Sequence, residues 1–332
     1  MVTPRAGVSR RSWTVATASG LSSVAATLAG LAAGCASDAR PGAARPAIGG
    51  GMASPWRSVG GGFIAPVVPA LGLQARPGTG MYVKLVAPGA LALRSQELLI
   101  AELMGGRLWR ADVGFTTFTP VPAAPIGTQT TLMLGPDLSA WVLDPPSRHV
   151  LRFARDGRLL QTWRTDIAAP SPVAMALADG GATLLVADAT LGQWAELRSG
   201  GATALPVRAR SDDSAPPARV DALAAGRDSL FVLDARAGVV HRVRRDGRIV
   251  ATLGAGALAG AGALAVDRHE RVFVLDGQGR QVTVVHGDAP PRVLTAHDLG
   301  VQVIGGLAVD DRYLAVSDRV AGQVQILLLA AP

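Results

Sequence analysis

One pattern of apolar and polar positions recurs six times between residues 89 and 318. In each copy, a short apolar run is followed by a polar turn and then by a second apolar run that ends in an acid. Two clear copies are ALAVDRHERVFVLD over 263–276 and GLAVDDRYLAVSD over 306–318. Apolar runs this short, bounded by turn residues, are typical of strands rather than helices. Each copy therefore predicts two adjacent antiparallel strands.

The acids that close the copies recur about every 43 residues, and a third strand follows each of them. Two copies continue through an Arg-Asp-Gly-Arg hairpin, at 155–158 and 245–248, into a fourth strand. Four strands in this length match one propeller blade. We predict an all-β, six-bladed β-propeller with four-stranded antiparallel blades over residues 81–332. Because an acid at a strand end can accept hydrogen bonds from the next turn, we interpret the six as structural turn acids: Glu102, Asp144, Asp188, Asp234, Asp276 and Asp318.

The last copy stops after its third strand, at Leu329, so one blade lacks a fourth strand. Residues 81–86 form an apolar segment just before the first copy. A propeller that closes by pairing its two chain ends leaves no open sheet edge. We therefore predict that strand 81–86 completes the last blade.

The repeat resembles that of the NHL family, whose units carry an apolar strand, a Val-x-Asp ending and an Asp-Gly hairpin. The resemblance covers about three quarters of the chain. It departs from the family in Glu102, which replaces Asp, and in the absence of Asn from the turns. Some NHL propellers bind RNA, which makes RNA binding an alternative function.

The N-terminus is typical of an export signal. Residues 1–12 are basic, an uncharged stretch follows, and small residues precede a single cysteine, Cys35. This arrangement resembles the bacterial lipoprotein signal, which implies a signal peptide over 1–34, cleavage after Gly34 and a lipid on Cys35. The adjacent Arg10 and Arg11 resemble a twin-arginine export motif. An ordinary signal peptide and an uncleaved membrane helix are the alternatives.

The resemblance to lipoproteins implies a protein that faces the periplasm, in the outer membrane if the cell is Gram-negative. Residues 35–62 are rich in Ala, Gly and Pro, and we interpret them as the lipidated cysteine and a flexible tether. Such a coil reaches roughly 30 Å. Residues 63–80 are interpreted as a lead-in segment that packs on the propeller.

The composition limits the kinds of partner that we expect. The formal net charge is +7, but three of the arginines lie in the predicted signal and the rest are interspersed with acids. A mixed surface of this kind is typical of solvated faces, so we expect no nucleic-acid partner. The single cysteine allows no intramolecular disulfide.

The loops that join one blade to the next open beside the central channel, where propellers commonly bind ligands. Their charged residues form our candidate ligand face: Asp166, Asp212, Asp213, His297 and Asp298. Carboxylates with a histidine could hold a divalent cation, although charged loop tips are more often only solvated. We expect no cofactor, with a divalent cation as the alternative.

The sequence contains no G-x-S-x-G nucleophile motif, and we identify no catalytic residue. We therefore expect a binding or scaffold module rather than an enzyme. Its partner would be an envelope protein, a peptide or a polysaccharide. The alternative is a metal-dependent propeller lyase or hydrolase with its site at the channel mouth.

Overall fold

The computed structural model describes residues 47–64, 81–114, 117–166, 169–197, 207–208 and 219–331. This part of the chain folds into 26 strands, with one short 3-10 turn at Asp179–Gly181 and no α-helix. The strands form six sheets, five with four strands and one with six. The predicted all-β, six-bladed propeller is therefore confirmed. Among the described residues, no helix has the length and apolarity needed to cross a bilayer.

Each blade begins with a strand on the central channel, and its later strands lie progressively further out. The bounds for blades 1 to 3 are as follows. Blade 1 contains Pro88–Arg94 (β4), Glu97–Glu102 (β5), Arg107–Asp112 (β6) and Thr117–Val121 (β7). Blade 2 contains Thr131–Leu134 (β8), Ala140–Asp144 (β9), His149–Phe153 (β10) and Leu159–Arg164 (β11). Blade 3 contains Pro172–Ala178 (β12), Thr183–Asp188 (β13), Gln193–Leu197 (β14) and Val207–Arg208 (β15).

The bounds for the other three blades follow the same order. Blade 4 contains Ala222–Ala225 (β16), Leu230–Asp234 (β17), Val239–Val243 (β18) and Ile249–Leu253 (β19). Blade 5 contains Ala261–Val266 (β20), Val272–Asp276 (β21), Gln281–Val285 (β22) and Arg292–Thr295 (β23). Blade 6 contains Ile304–Val309 (β24), Tyr313–Asp318 (β25) and Gln323–Leu329 (β26), and an N-terminal strand completes it.

The strand that closes the ring is Ala53–Val59 (β1), which pairs antiparallel with β26 from Ala53 opposite Leu329 to Val59 opposite Val324. The prediction that residues 81–86 close the last blade is therefore wrong. Closure between the chain ends does occur, but through an earlier segment. Trp56 of β1 packs on Tyr313 of β25, with ring centroids 5.0 Å apart.

The segment expected to close blade 6 extends blade 1 instead. Gly61–Ile64 (β2) adds to the outer strand β7 in parallel, and Met81–Lys84 (β3) pairs antiparallel with β2 as the outermost strand. Because β1 already occupies the open edge of β26, strand β3 has no edge to fill there. Its residues Met81 and Tyr82 are largely exposed.

The predicted boundaries before the propeller change accordingly. The tether over 35–62 is wrong in its second half, because β1 and the start of β2 lie there as paired strands. Phe63 and Ile64, the first residues of the lead-in over 63–80, belong to β2. The predicted signal over 1–34, with Arg10, Arg11 and Gly34, and the lipidation residue Cys35 lie outside the described residues.

The core consists of apolar clusters between neighbouring blades, and the backbones approach closely at the junction of blades 6 and 1. A Cβ at Gly305 would stand 2.6 Å from the Pro88 carbonyl oxygen, and one at Gly306 would stand 2.6 Å from the Gly89 carbonyl oxygen. The buried Ser317 hydroxyl donates to the Gly89 carbonyl at 2.7 Å. Two glycines in β24 therefore let the last and first blades meet backbone to backbone.

Candidate binding site in the central channel

The first strands of all six blades surround a channel with a cavity volume of about 710 Å³. Its wall is mostly small or aliphatic, and half-buried side chains from each blade line it, such as Ala90, Met133, Val173, Ala224, Ala265 and Val309. The described lining contains no aromatic side chain. A concave apolar cavity of this size is typical of sites that bind small molecules or short segments.

Among the described lining residues, charged side chains lie only at the two ends of the channel. Arg94 lies at the end of β4, while Asp221, Asp276 and Arg319 lie at the other end, where the first strands begin. We call this second end the acid face, because the six acids that close the second strands lie there. The channel therefore has a polar mouth at each end of an aliphatic shaft.

The two carboxylates that line the channel at the acid face, those of Asp221 and Asp276, already accept hydrogen bonds. Asp221 accepts hydrogen bonds from the Ala235 N–H at 2.9 Å and from Arg219 Nε at 3.1 Å. Asp276 accepts from the Arg280 N–H at 2.6 Å. Within the described part of the chain, no acid pairs with Arg319, whose side chain is exposed at the mouth. At this mouth, Arg319 is therefore the charged group best placed to meet an incoming anion.

The repeated acids hold the turns that follow them. Asp318 is fully buried and accepts from the N–H groups of Gln302, Val320 and Ala321 at 2.7–3.0 Å. Asp188 is also fully buried and accepts from three N–H groups and one hydroxyl. Glu102, Asp234 and Asp276 likewise accept bonds from N–H groups of neighbouring turns. These carboxylates are committed to backbone donors.

Asp144 differs from the other five acids because Pro145 and Pro146 follow it. Proline nitrogen carries no hydrogen, so this turn offers fewer donors to the carboxylate. Asp144 is half-buried, as is Asp276.

The candidate ligand face is not gathered into one site. Asp166 lies 2.5 Å from Arg164 Nη2, and this hydrogen bond lowers the pKa of Asp166. Asp298 accepts from the Thr295 hydroxyl and N–H, which lower its pKa, and His297 is exposed. None of the three lines the channel. Asp212 and Asp213 lie outside the described residues, and those that are described contain no group of three acids or histidines able to hold a metal ion.

The comparisons with known proteins support the fold. No family model matches the chain, and no curated protein matches it in sequence. Among solved structures, a virginiamycin B lyase from Staphylococcus aureus aligns with a TM-score of 0.54 at 10% identity, over 74% of this chain and 96% of the lyase. A streptogramin B lyase aligns with a TM-score of 0.53 at 8% identity, over 75% of this chain and 95% of its own.

A third solved structure is a protein of unknown function from Bacteroides thetaiotaomicron. It aligns with a TM-score of 0.54 at 11% identity, over 75% of this chain and 70% of its own. At these identities the likeness concerns the propeller fold alone.

Proposed function

We propose that this chain is an exported, membrane-anchored propeller that binds an apolar peptide segment through the acid-face mouth of its channel. The observation that carries the proposal is the aliphatic shaft, which ends at an exposed arginine that pairs with no acid in the described part of the chain. Apolar side chains would enter the shaft, and a carboxylate of the peptide would pair with Arg319.

The lining favours a peptide over a polysaccharide. Sugars are bound by dense sets of hydrogen-bonding side chains and by flat aromatic faces. The described lining offers no aromatic face, and its uncharged hydrogen-bonding side chains are confined to 128–131 at the rim. Large aromatic residues such as Trp194 and Phe231 lie elsewhere, in the buried core.

Filling the channel should weaken peptide binding. Ala224 is half-buried and lines the channel, so Ala224→Phe places a bulky ring in the shaft. We expect at least about tenfold weaker binding, by fluorescence titration, of apolar peptides selected from a random library on the unaltered protein. Val250→Phe, on the exposed face of the outer strand in the same blade, is the matched control and should bind normally. Equal affinities for all three proteins would refute a channel site.

Removing the guanidinium of Arg319 should weaken the binding only of peptides that carry a free carboxylate. For Arg319→Ala we expect about fivefold to tenfold lower affinity for a selected peptide with a free C-terminus. The same peptide with an amidated C-terminus should bind the variant and the parent alike. An equal loss of affinity for both peptides would show that Arg319 shapes the mouth without pairing with the carboxylate.

The alternative is a lyase or hydrolase, and the fold neighbours give it a specific test. One neighbour is a catalytically inactive virginiamycin B lyase variant from Staphylococcus aureus that was solved with quinupristin. We expect this chain to leave quinupristin unchanged by chromatography, with or without added divalent cations. Turnover of quinupristin would replace the binding proposal with the enzymatic one.

A further inference from the structure

The turn between the second and third strands has one outlier among the six blades. In five blades a glycine with positive φ occupies this turn: Gly106, Gly192, Gly238, Gly279 and Gly322. The turn of blade 2 contains no glycine, and its residue with positive φ is Arg148, with φ of 58°. Residues with a side chain rarely adopt this left-handed conformation, because Cβ crowds the backbone. Glycine would suit the turn better, as it does in the rest of the ring.

The backbone of Arg148 is tightly held although its side chain is exposed. Its N–H donates to the Pro145 carbonyl at 3.2 Å, and its carbonyl accepts from the N–H and hydroxyl of buried Thr165 at 2.9 and 3.2 Å. These bonds involve only the main chain of Arg148 and would form equally well with glycine. Local structure therefore gives no reason for an arginine here, and strain kept at an exposed position points to a role for the side chain.

The side chain of Arg148 lines a recess of about 370 Å³. Pro146, Ser147, His149, Arg164 and Asp166 complete its wall. His149 and Arg164 are cross-strand partners at the adjoining ends of β10 and β11, so a second arginine and a histidine face the same space. The recess is separate from the channel, whose lining includes none of these six residues.

We propose that this recess binds a phosphate group, with Arg148 and Arg164 as its principal ligands. Two guanidinium groups offer paired N–H donors that match phosphate oxygens. Asp166 is the resident counter-ion of Arg164, 2.5 Å from its Nη2. An incoming phosphate must therefore share Arg164 with this carboxylate or displace it, which makes Asp166 a competitor rather than a ligand.

The proposal requires opposite effects from two substitutions in one recess. Arg148→Gly installs the residue that the other blades use, so the melting temperature should stay the same or rise, while affinity for inorganic phosphate falls by about tenfold. Asp166→Asn removes the competing charge, so affinity should rise several-fold. Isothermal titration calorimetry of the full chain with inorganic phosphate measures both effects. Arg236→Ala, an exposed arginine in the matching turn of blade 4, is the control and should leave binding unchanged.

Vesicles then distinguish the source of the phosphate. Vesicles of phosphatidylcholine with phosphatidic acid should bind the parent and release it when free phosphate is added, if a lipid headgroup is the ligand. Binding of free phosphate alone assigns the recess to a soluble phosphate, and either result supports the site. The proposal is overturned if the parent binds neither, or if Arg148→Gly binds within twofold of the parent.

Discussion

A chain that begins after Gly60 should lose its cooperative unfolding transition, whereas one that begins at Ala47 should keep it. The shorter chain lacks β1, which closes the ring on β26. Its loss leaves β26 with an unpaired edge and uncovers Val324 and Ile326, which are now fully buried. It also removes the buried side chains of Ala53 and Val59 and the contact between Trp56 and Tyr313.

The size of this effect follows from the marginal stability of folded domains. Each large apolar side chain that is buried contributes about 1.5–3 kcal/mol, and a domain is stable by only about 5–15 kcal/mol. Losing one strand of the closing blade removes a large part of that margin. Circular dichroism during heating measures the transition.

Deletion of Met81–Lys84 is the informative control for this truncation. Strand β3 lies at the outer edge of blade 1, with Met81 and Tyr82 exposed by 67% and 42%. We expect this deletion to lower the melting temperature by only a few degrees and to keep the transition sharp. A reversed result, with β3 essential and β1 dispensable, would contradict the observed closure.

Replacing Asp318 by alanine should destabilise the propeller far more than the same change at Asp144. Asp318→Ala removes a fully buried carboxylate that accepts from three N–H groups, those of Gln302, Val320 and Ala321. Each of these hydrogen bonds contributes about 0.5–1.5 kcal/mol net, so the free energy of unfolding should fall by about 3 kcal/mol. Asp144→Ala should cost less than about 1 kcal/mol, because Pro145 and Pro146 follow it and have no N–H to lose.

Urea denaturation at neutral pH measures both losses. Asp318→Asn is a useful third variant, because its amide oxygen can still accept hydrogen bonds, though without the charge. It should fall between the parent and the alanine variant. Equal losses at positions 318 and 144 would show that the acids act through something other than the turn donors.

The repeat made the ring predictable, because every copy carries the same apolar runs and the same closing acid. The closing strand was missed for a physical reason. Only Ala53 and Val59 are buried in the seven residues of β1, so the segment lacks the alternation that marks a half-buried strand. Residues 81–86 looked more strand-like, and their place at the outer edge of a blade depends on contacts with β2 that no local pattern records.

The candidate sites were harder to predict from the sequence than the fold. Arg319 stands out only when the first strands close into a channel and Asp221 and Asp276 find other partners. Arg148 did leave a signal. Among the turns after the six acids, the turn of blade 2 is the one without a glycine, and a search for the missing glycine would have found the recess.

The early position of β1 also shortens the segment between a lipidated Cys35 and the propeller. Eleven residues, 36–46, separate that cysteine from Ala47, the first residue that the structure describes. Ala53 pairs with Leu329 at the end of blade 6 away from Asp318, so the chain enters the propeller on the side opposite the acid face. In the proposed anchored protein, the anchor would therefore be joined to the face opposite Arg319, and peptides would reach Arg319 from the other side of the ring.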